Sequence, residues 1–198
     1  MIKRILIIIF VCTMIIQITA CNGWVSEAGG SLKVGDTVTL GQLDWVVLAM
    51  DGGKALLLSV EILETRAFDS TSNNWENSEI RAYLNGSFFN STFNNQEKSK
   101  IVETELTTTN QNRTNDRVFL LSADESKEYV SGYVHRNIRR IRNAEYTGTG
   151  NTSIWWLRSS GSRPCRAAYA FSDGRASDFG DGVDITDVGV RPAMWFNP

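Results

Sequence analysis

The chain opens with a nearly unbroken apolar run, Ile5 to Ile16, and only after a polar stretch does an alternating, foldable pattern begin near Val34. Thr37–Leu40, Trp45–Met50 and Lys54–Val60 are short, apolar and β-branched, which predicts three strands. Asp51-Gly52-Gly53 predicts a hairpin turn between the last two. Ile80, Tyr83 and Leu84 share one face at helical spacing, with Asn77 or Ser78 as the cap and Gly86 as the stop. Asn94 and Glu97 are spaced as a capping box for a helix over Gln96–Val102. Arg117–Leu121 predicts a buried strand, and Ser122 with Glu125 caps a helix to about Val130.

Val134–Ala144 has a helical pattern in which Arg136, Arg139 and Arg140 share a face. Such a face either holds an anionic ligand or is simply solvated, and solvation is the expectation. Thr147–Thr152 reads as a loop. Arg166–Ser172 and Arg175–Phe179 predict strands flanking a two-residue turn, Asp173-Gly174. Val183, Ile185 and Val188 are the apolar members of a further run, and Pro192 belongs at a bend or a sheet edge.

Two apolar anchors, Trp155-Trp156-Leu157-Arg158-Ser159 and Gly189-Val190-Arg191-Pro192-Ala193-Met194-Trp195, bracket this last region. Between them, Ser160–Val188 contains no Lys, Glu, Gln, Met or Trp, although the rest of the chain uses these types freely. Trp155, Trp156, Leu157, Val190 and Trp195 are assigned to the core. A constant frame around a restricted filling predicts a scaffold that presents an exchangeable binding surface.

Composition narrows the class. With 198 residues, 42% hydrophobic and 21% charged, the chain is long enough for one globular domain with a core. The formal charge of −2 and the lack of a long basic run disfavour nucleic acid. The start of the chain predicts a leader: Lys3 and Arg4, the apolar run, then Ile18-Thr19-Ala20-Cys21, which resembles a bacterial lipobox. On this reading residues 1–20 are a lipoprotein signal peptide, Cys21 is lipidated and holds the chain to a membrane, and 21–33 form a flexible tether. Residues 34–198 then form the domain, outside the cytoplasm. Removing Lys3 and Arg4 from the 20 basic residues leaves 18 against 22 acidic, a formal charge of −4. Cys12 departs with the signal, so Cys165 has no intramolecular partner and the fold rests on its core.

Catalytic signals are weak. His135 is the only histidine, no P-loop or dinucleotide fingerprint is present, and zinc sites built from several Cys or His are excluded by count. Asp173, Asp178, Asp181, Asp184 and Asp187 could offer oxygens to calcium, but their spacing is not that of an EF-hand and solvation is the expected role. No cofactor, metal or catalytic residue is assigned.

One combination of motifs is more specific. It comprises Gly35-Asp36 before Trp45-Val46-Val47-Leu48, Ala55-Leu56-Leu57-Leu58-Ser59 with Ile62-Leu63-Glu64-Thr65-Arg66, and Trp75-Glu76-Asn77-Ser78 with Ile80-Arg81 and Leu84-Asn85. It continues with Val118-Phe119-Leu120-Leu121-Ser122, the Trp155–Ser159 anchor, Ala168-Tyr169 with Asp173-Gly174, and Gly189-Val190-Arg191-Pro192-Ala193. Together these resemble an uncharacterised family of bacterial extracytoplasmic lipoprotein domains. The resemblance implies an α+β, C-type-lectin-like single domain with short helices around small antiparallel sheets. It is akin to formylglycine-generating enzymes and to the variable proteins of diversity-generating retroelements. In the variable proteins, rewriting of template adenines turns AAC or AAT codons into NNC or NNT codons. Those cannot encode the five residue types missing from Ser160–Val188. The enzymatic relatives fit poorly, since they call for paired Cys or several His.

The resemblance and the filling together predict a lipid-anchored surface protein, not an enzyme. It binds an external protein or glycan through Arg163, Cys165, Arg166, Phe171, Ser172, Arg175, Ser177, Asp178, Phe179, Asp181, Asp184, Thr186 and Asp187. Arg and aromatic residues would be the anchors. For Phe171 and Phe179 a core position is equally open, because strand period alone does not decide which face is buried. A non-diversified adhesive or structural lipoprotein of the same fold is the alternative.

Overall fold

The computed structural model describes residues 31–108, 111–131 and 153–198. The leader, Cys21, the tether up to residue 30, the arginine-rich stretch with His135, and the loop at 147–152 lie outside the described residues. No helix among the described residues is long and apolar enough to cross a membrane.

The architecture is α+β, and the described residues form two five-stranded sheets, a two-stranded ribbon and short helices. The first sheet contains β1 (Thr37–Leu40), β2 (Leu43–Asp51), β3 (Lys54–Ser59), β5 (Ile101–Val102) and β12 (Ala193–Phe196), ordered β1-β2-β3-β12-β5 and antiparallel throughout. The second contains β4 (Glu64–Thr65), β8 (Ile154–Ser160), β9 (Arg166–Phe171), β10 (Ala176–Gly182) and β11 (Gly189–Val190), ordered β10-β9-β8-β11-β4. β6 (Thr104–Leu106) and β7 (Thr114–Asp116) form the ribbon.

Trp45 to Leu48 and Ala55 to Ser59 are buried without alternation, so the middle of the first sheet is covered on both faces. Gly52 and Gly53 both have positive φ, as the predicted two-residue turn between β2 and β3 requires. The second anchor joins the sheets: β11 lies in one, β12 in the other, and the buried Arg191-Pro192 step is the bend between them.

Several elements depart from the sequence expectation for identifiable reasons. Ser78 caps α1 (Glu79–Tyr83), but Gly86 does not end the helix. It has no positive φ, and the chain continues through a π-helical turn, Leu84–Phe88, into α2 (Phe89–Thr92) because Phe88 and Phe89 still have core to fill. The Asn94–Glu97 capping box opens α3 (Asn95–Lys100), which stops early because Ile101–Val102 pairs with β12. The stretch ending at Leu121 is buried from Val118 onward but is not a ladder strand. Phe119 exchanges hydrogen bonds of 2.9 and 2.7 Å with Ala193, and Leu121 accepts from Arg158 N at 2.9 Å, so the segment stitches one sheet to the other. The Ser122–Glu125 box opens α4 (Ala123–Glu125), followed by a π-helical turn, Ser126–Val130. Val183–Val188 is a turn with Val183 and Val188 buried and Ile185 half-buried. Trp195 is half-buried, on the opposite strand face from buried Met194 and Phe196.

Candidate ligand-binding surface

The two anchors are neighbours in space. β8 and β11 pair in parallel, with Gly189 opposite Trp155, so the second anchor begins beside the beginning of the first and the framed segment leads from the far end of β8 back to its start. Gly189 is needed for this approach, since a Cβ there would lie 2.5 Å from Ile62 Cγ2 and 2.8 Å from the Ile154 carbonyl oxygen.

Each anchor also carries a buried arginine that the apolar pattern conceals. Arg158 donates to the Leu120 carbonyl at 2.8 Å, to the Thr108 hydroxyl at 3.2 Å and to both carboxylate oxygens of Glu125, one at 2.8 Å. Arg191 donates to the carbonyls of Ser59 at 2.9 Å and Val60 at 3.3 Å and lies 4.8 Å from the Trp155 ring centroid. Burial pushes its guanidinium down to about 9, against the opposing pull of Glu61, so it keeps its charge at neutral pH. The available signal was an arginine inside each aromatic run, where it must snorkel out or find carbonyls within.

The filling emerges from this frame as a hairpin. Its turn differs from the predicted two-residue form. Gly174 N donates to Phe171 O at 2.7 Å, and Phe171 N donates to Arg175 O at 2.9 Å, leaving a three-residue loop with Gly174 at φ 81°. Ser172 and Asp173 are thus the central turn residues.

Both flanking strands bulge opposite Ala168. On β8 the register moves from Trp156–Tyr169 to Ser160–Ala167, and on β10 from Ser177–Tyr169 to Asp181–Ala167, so each neighbour loops out extra residues. The β10 bulge is Asp178-Phe179-Gly180. Gly180 has φ 75°, and a Cβ on it would sit 2.6 Å from the Ala167 carbonyl oxygen. The Phe179 carbonyl accepts from Ser162 N at 3.1 Å and Ser162 Oγ at 2.9 Å, and Arg166 Nη1 donates to Gly180 O at 2.9 Å. The Arg166 guanidinium then lies 4.7 Å from the Phe179 ring centroid.

Phe179 is 62% exposed and Phe171 38%, and they are the exposed large aromatics among the described residues. Both therefore face outward. Phe171 packs edge-on against Tyr169 with centroids 5.2 Å apart, and Arg175 lies 5.8 Å over its ring. Tyr169 was not among the predicted site residues, although the strand period from Phe171 pointed to it.

Arg163, Cys165, Ser172, Arg175, Asp178, Asp184, Thr186 and Asp187 are exposed, while Arg166, Ser177 and Asp181 are half-buried. Asn73 holds the loop before β9 by donating to the carbonyls of Arg163 at 2.9 Å and Arg166 at 2.8 Å. Asp178 accepts from Lys127 at 2.9 Å, a contact that raises the lysine pKa, and Asp173 pairs with Arg175 at 2.6 Å. Among the described residues, no three His, Cys, Asp or Glu side chains gather where they could hold a metal ion. The Val183–Val188 turn carries Asp184, Thr186 and Asp187 and is fastened at Val183, whose carbonyl accepts from Phe68 N and Asp69 N.

Residues 52–198 match the model of a family described as Domain of unknown function (DUF6273), and the chain belongs to that family. The match covers β3 to β12, including both anchors and everything between them. No curated protein and no solved structure matches the chain.

Proposed function

We propose that this member of the DUF6273 family is a lipid-anchored, extracytoplasmic binding protein that engages an external protein or glycan through the β9–β10 hairpin and its flanking loops. One observation carries the reading: the exposed aromatics Phe171 and Phe179 are both presented by one hairpin, Phe171 at its turn and Phe179 on its bulge, whose backbones are set by Gly174 and Gly180. An aromatic held out rigidly, with arginine against its ring, loses little conformational freedom when it docks. Paired charges at Asp173–Arg175 and Asp178–Lys127 form a polar rim around it.

The finer fold reading belongs with this proposal. The last strand, β12, inserts beside β3 in the first sheet while the hairpin forms an edge of the second, an arrangement we read as C-type-lectin-like. Retroelement diversification is the proposed origin of the filling, because its missing residue types match the codon restriction. The role is binding and not catalysis.

The deciding experiment is genomic. A near-copy of the coding stretch for residues 160–188, differing at adenines and accompanied by a reverse-transcriptase gene, is the expected finding. A complete genome without such a copy would leave the non-diversified lipoprotein. Anchoring is tested by Cys21→Ser, which should release the protein from membranes; firm retention would refute the lipobox.

A further inference from the structure

A second site lies at the opposite edge of the second sheet. β4 and β10 are its two outer strands, separated by four inter-strand steps, on the order of 20 Å. Beside β4 is an open cleft of about 410 Å³, lined by Gly41, Gln42, Leu43, Leu63, Glu64, Tyr83, Phe88, Ser91 and Thr92. That volume falls within the range of small-ligand clefts, ~300–1,000 Å³.

Three features mark the cleft as built. Gln42 at its lip has φ 62°, the only non-glycine with positive φ among the described residues. Such strain persists only where the surroundings enforce it. Here the Gly41-Gln42 turn is held by Gly41 N donating to Glu97 Oε1 at 2.9 Å. It is also pressed so close to α2 that a Cβ on Gly41 would meet Thr92 Cγ2 at 2.5 Å. On the far wall, Arg66 Nε donates to Glu64 at 3.1 Å, and its guanidinium lies 3.6 Å over the Tyr83 ring. Burial first, then the neighbouring Glu64 carboxylate, push the pKa of the Tyr83 hydroxyl up to about 12.

The chemistry selects a ligand class. Glu64 is the charged lining residue, and Arg66 behind it balances its charge, so a charged ligand meets no free countercharge in the lining. The polar groups are mixed donors and acceptors: the Gln42 amide, the Ser91 and Thr92 hydroxyls, and the Glu64–Tyr83 pair. Leu43, Leu63 and Phe88 provide apolar wall between them. We infer that this cleft binds a neutral polyhydroxylated ligand, a mono- or disaccharide whose hydroxyl edge meets the polar groups and whose C–H face meets the apolar wall. The inference does not rest on the hairpin's proposed role.

The test is saturation-transfer NMR on the full chain with glucose, N-acetylglucosamine and cellobiose as probes, beside glycerol, glucuronate and glucosamine. Neutral sugars should bind, with Kd on the order of 1 mM. Gln42→Gly, which relieves the strained turn, and Tyr83→Phe, which keeps the ring, should each weaken binding about fivefold or more. Phe179→Ala should leave it unchanged, which separates this site from the hairpin. No response to neutral sugars overturns the inference, as does a response confined to glycerol or to the charged sugars. Binding that survives both cleft variants overturns it too.

Discussion

β8 and β10 both bulge opposite Ala168, and the two bulges send their residues in opposite directions. On β8 the extra residues include Arg158, which turns inward to carbonyls of the Leu120 region and to Glu125, and ends 2% exposed. On β10 they include Phe179, which turns outward and ends 62% exposed. The usual placement of charge and hydrophobe is inverted within one sheet. The inward arginine is tolerated because several acceptors await it; the outward phenylalanine because glycine and arginine brace its backbone. The bulge facing the core serves folding, and the bulge facing solvent is free to serve a ligand.

The largest expected effect is at the inward bulge. Arg158→Ala should cost about 3–5 kcal/mol in urea or thermal denaturation, because it strips the buried acceptors and the partner of Glu125. A loss under ~1 kcal/mol would mean that Arg158 does not hold the frame. Next is Gly180→Ala, which combines positive φ with a Cβ 2.6 Å from the Ala167 carbonyl oxygen. It should cost about 2 kcal/mol or more, measured the same way, and should displace Phe179. Unchanged stability would mean that the outward bulge is loose, and the comparison would lose its force.

A third effect lies beneath the turn that carries Asp184 and Asp187. Asp69 is buried and accepts from Thr71 N at 2.8 Å, Ser72 N at 2.9 Å and Glu79 N at 3.2 Å. Burial alone would raise its pKa, but these backbone donors together outweigh burial and lower it below 3.8. A depressed folded pKa means stability that is present above the ordinary value and lost as pH falls through the folded one. Asp69→Asn should therefore cost about 1–2 kcal/mol at neutral pH, and the difference from the parent should shrink below about pH 4. Denaturation curves at several pH values give the answer, and a difference that stays constant into acid would refute it.

The smallest effect on stability is expected at the outward bulge. Phe179→Ala should change it by no more than ~0.5 kcal/mol. The same change should remove ~2 kcal/mol or more of affinity for whatever ligand the hairpin engages, read by titration. A large loss of stability instead would place Phe179 in the structural frame.

Local signals were legible in the sequence wherever a few neighbouring residues decide the outcome. The Gly52-Gly53 turn and the boxes at Asn94–Glu97 and Ser122–Glu125 occur where expected, because caps and turns are settled within four residues. Gly86 misled because burial of Phe88 and Phe89 outweighs a single residue's helix preference. The residues proposed for the binding surface are exposed or half-buried. The β10 bulge and the β4 cleft were not legible, for each depends on which strands become neighbours.

By itself the sequence determined the local turns and caps and the boundaries of the framed segment, because these follow from periodicity and short-range chemistry, while the α+β class came with the family resemblance. Only the tertiary structure decided that the two anchors lie side by side, that their arginines point inward, and that Phe171 and Phe179 point outward. A strand's two faces are equivalent until its pairing register and its bulges are set, and those depend on residues far away in the chain.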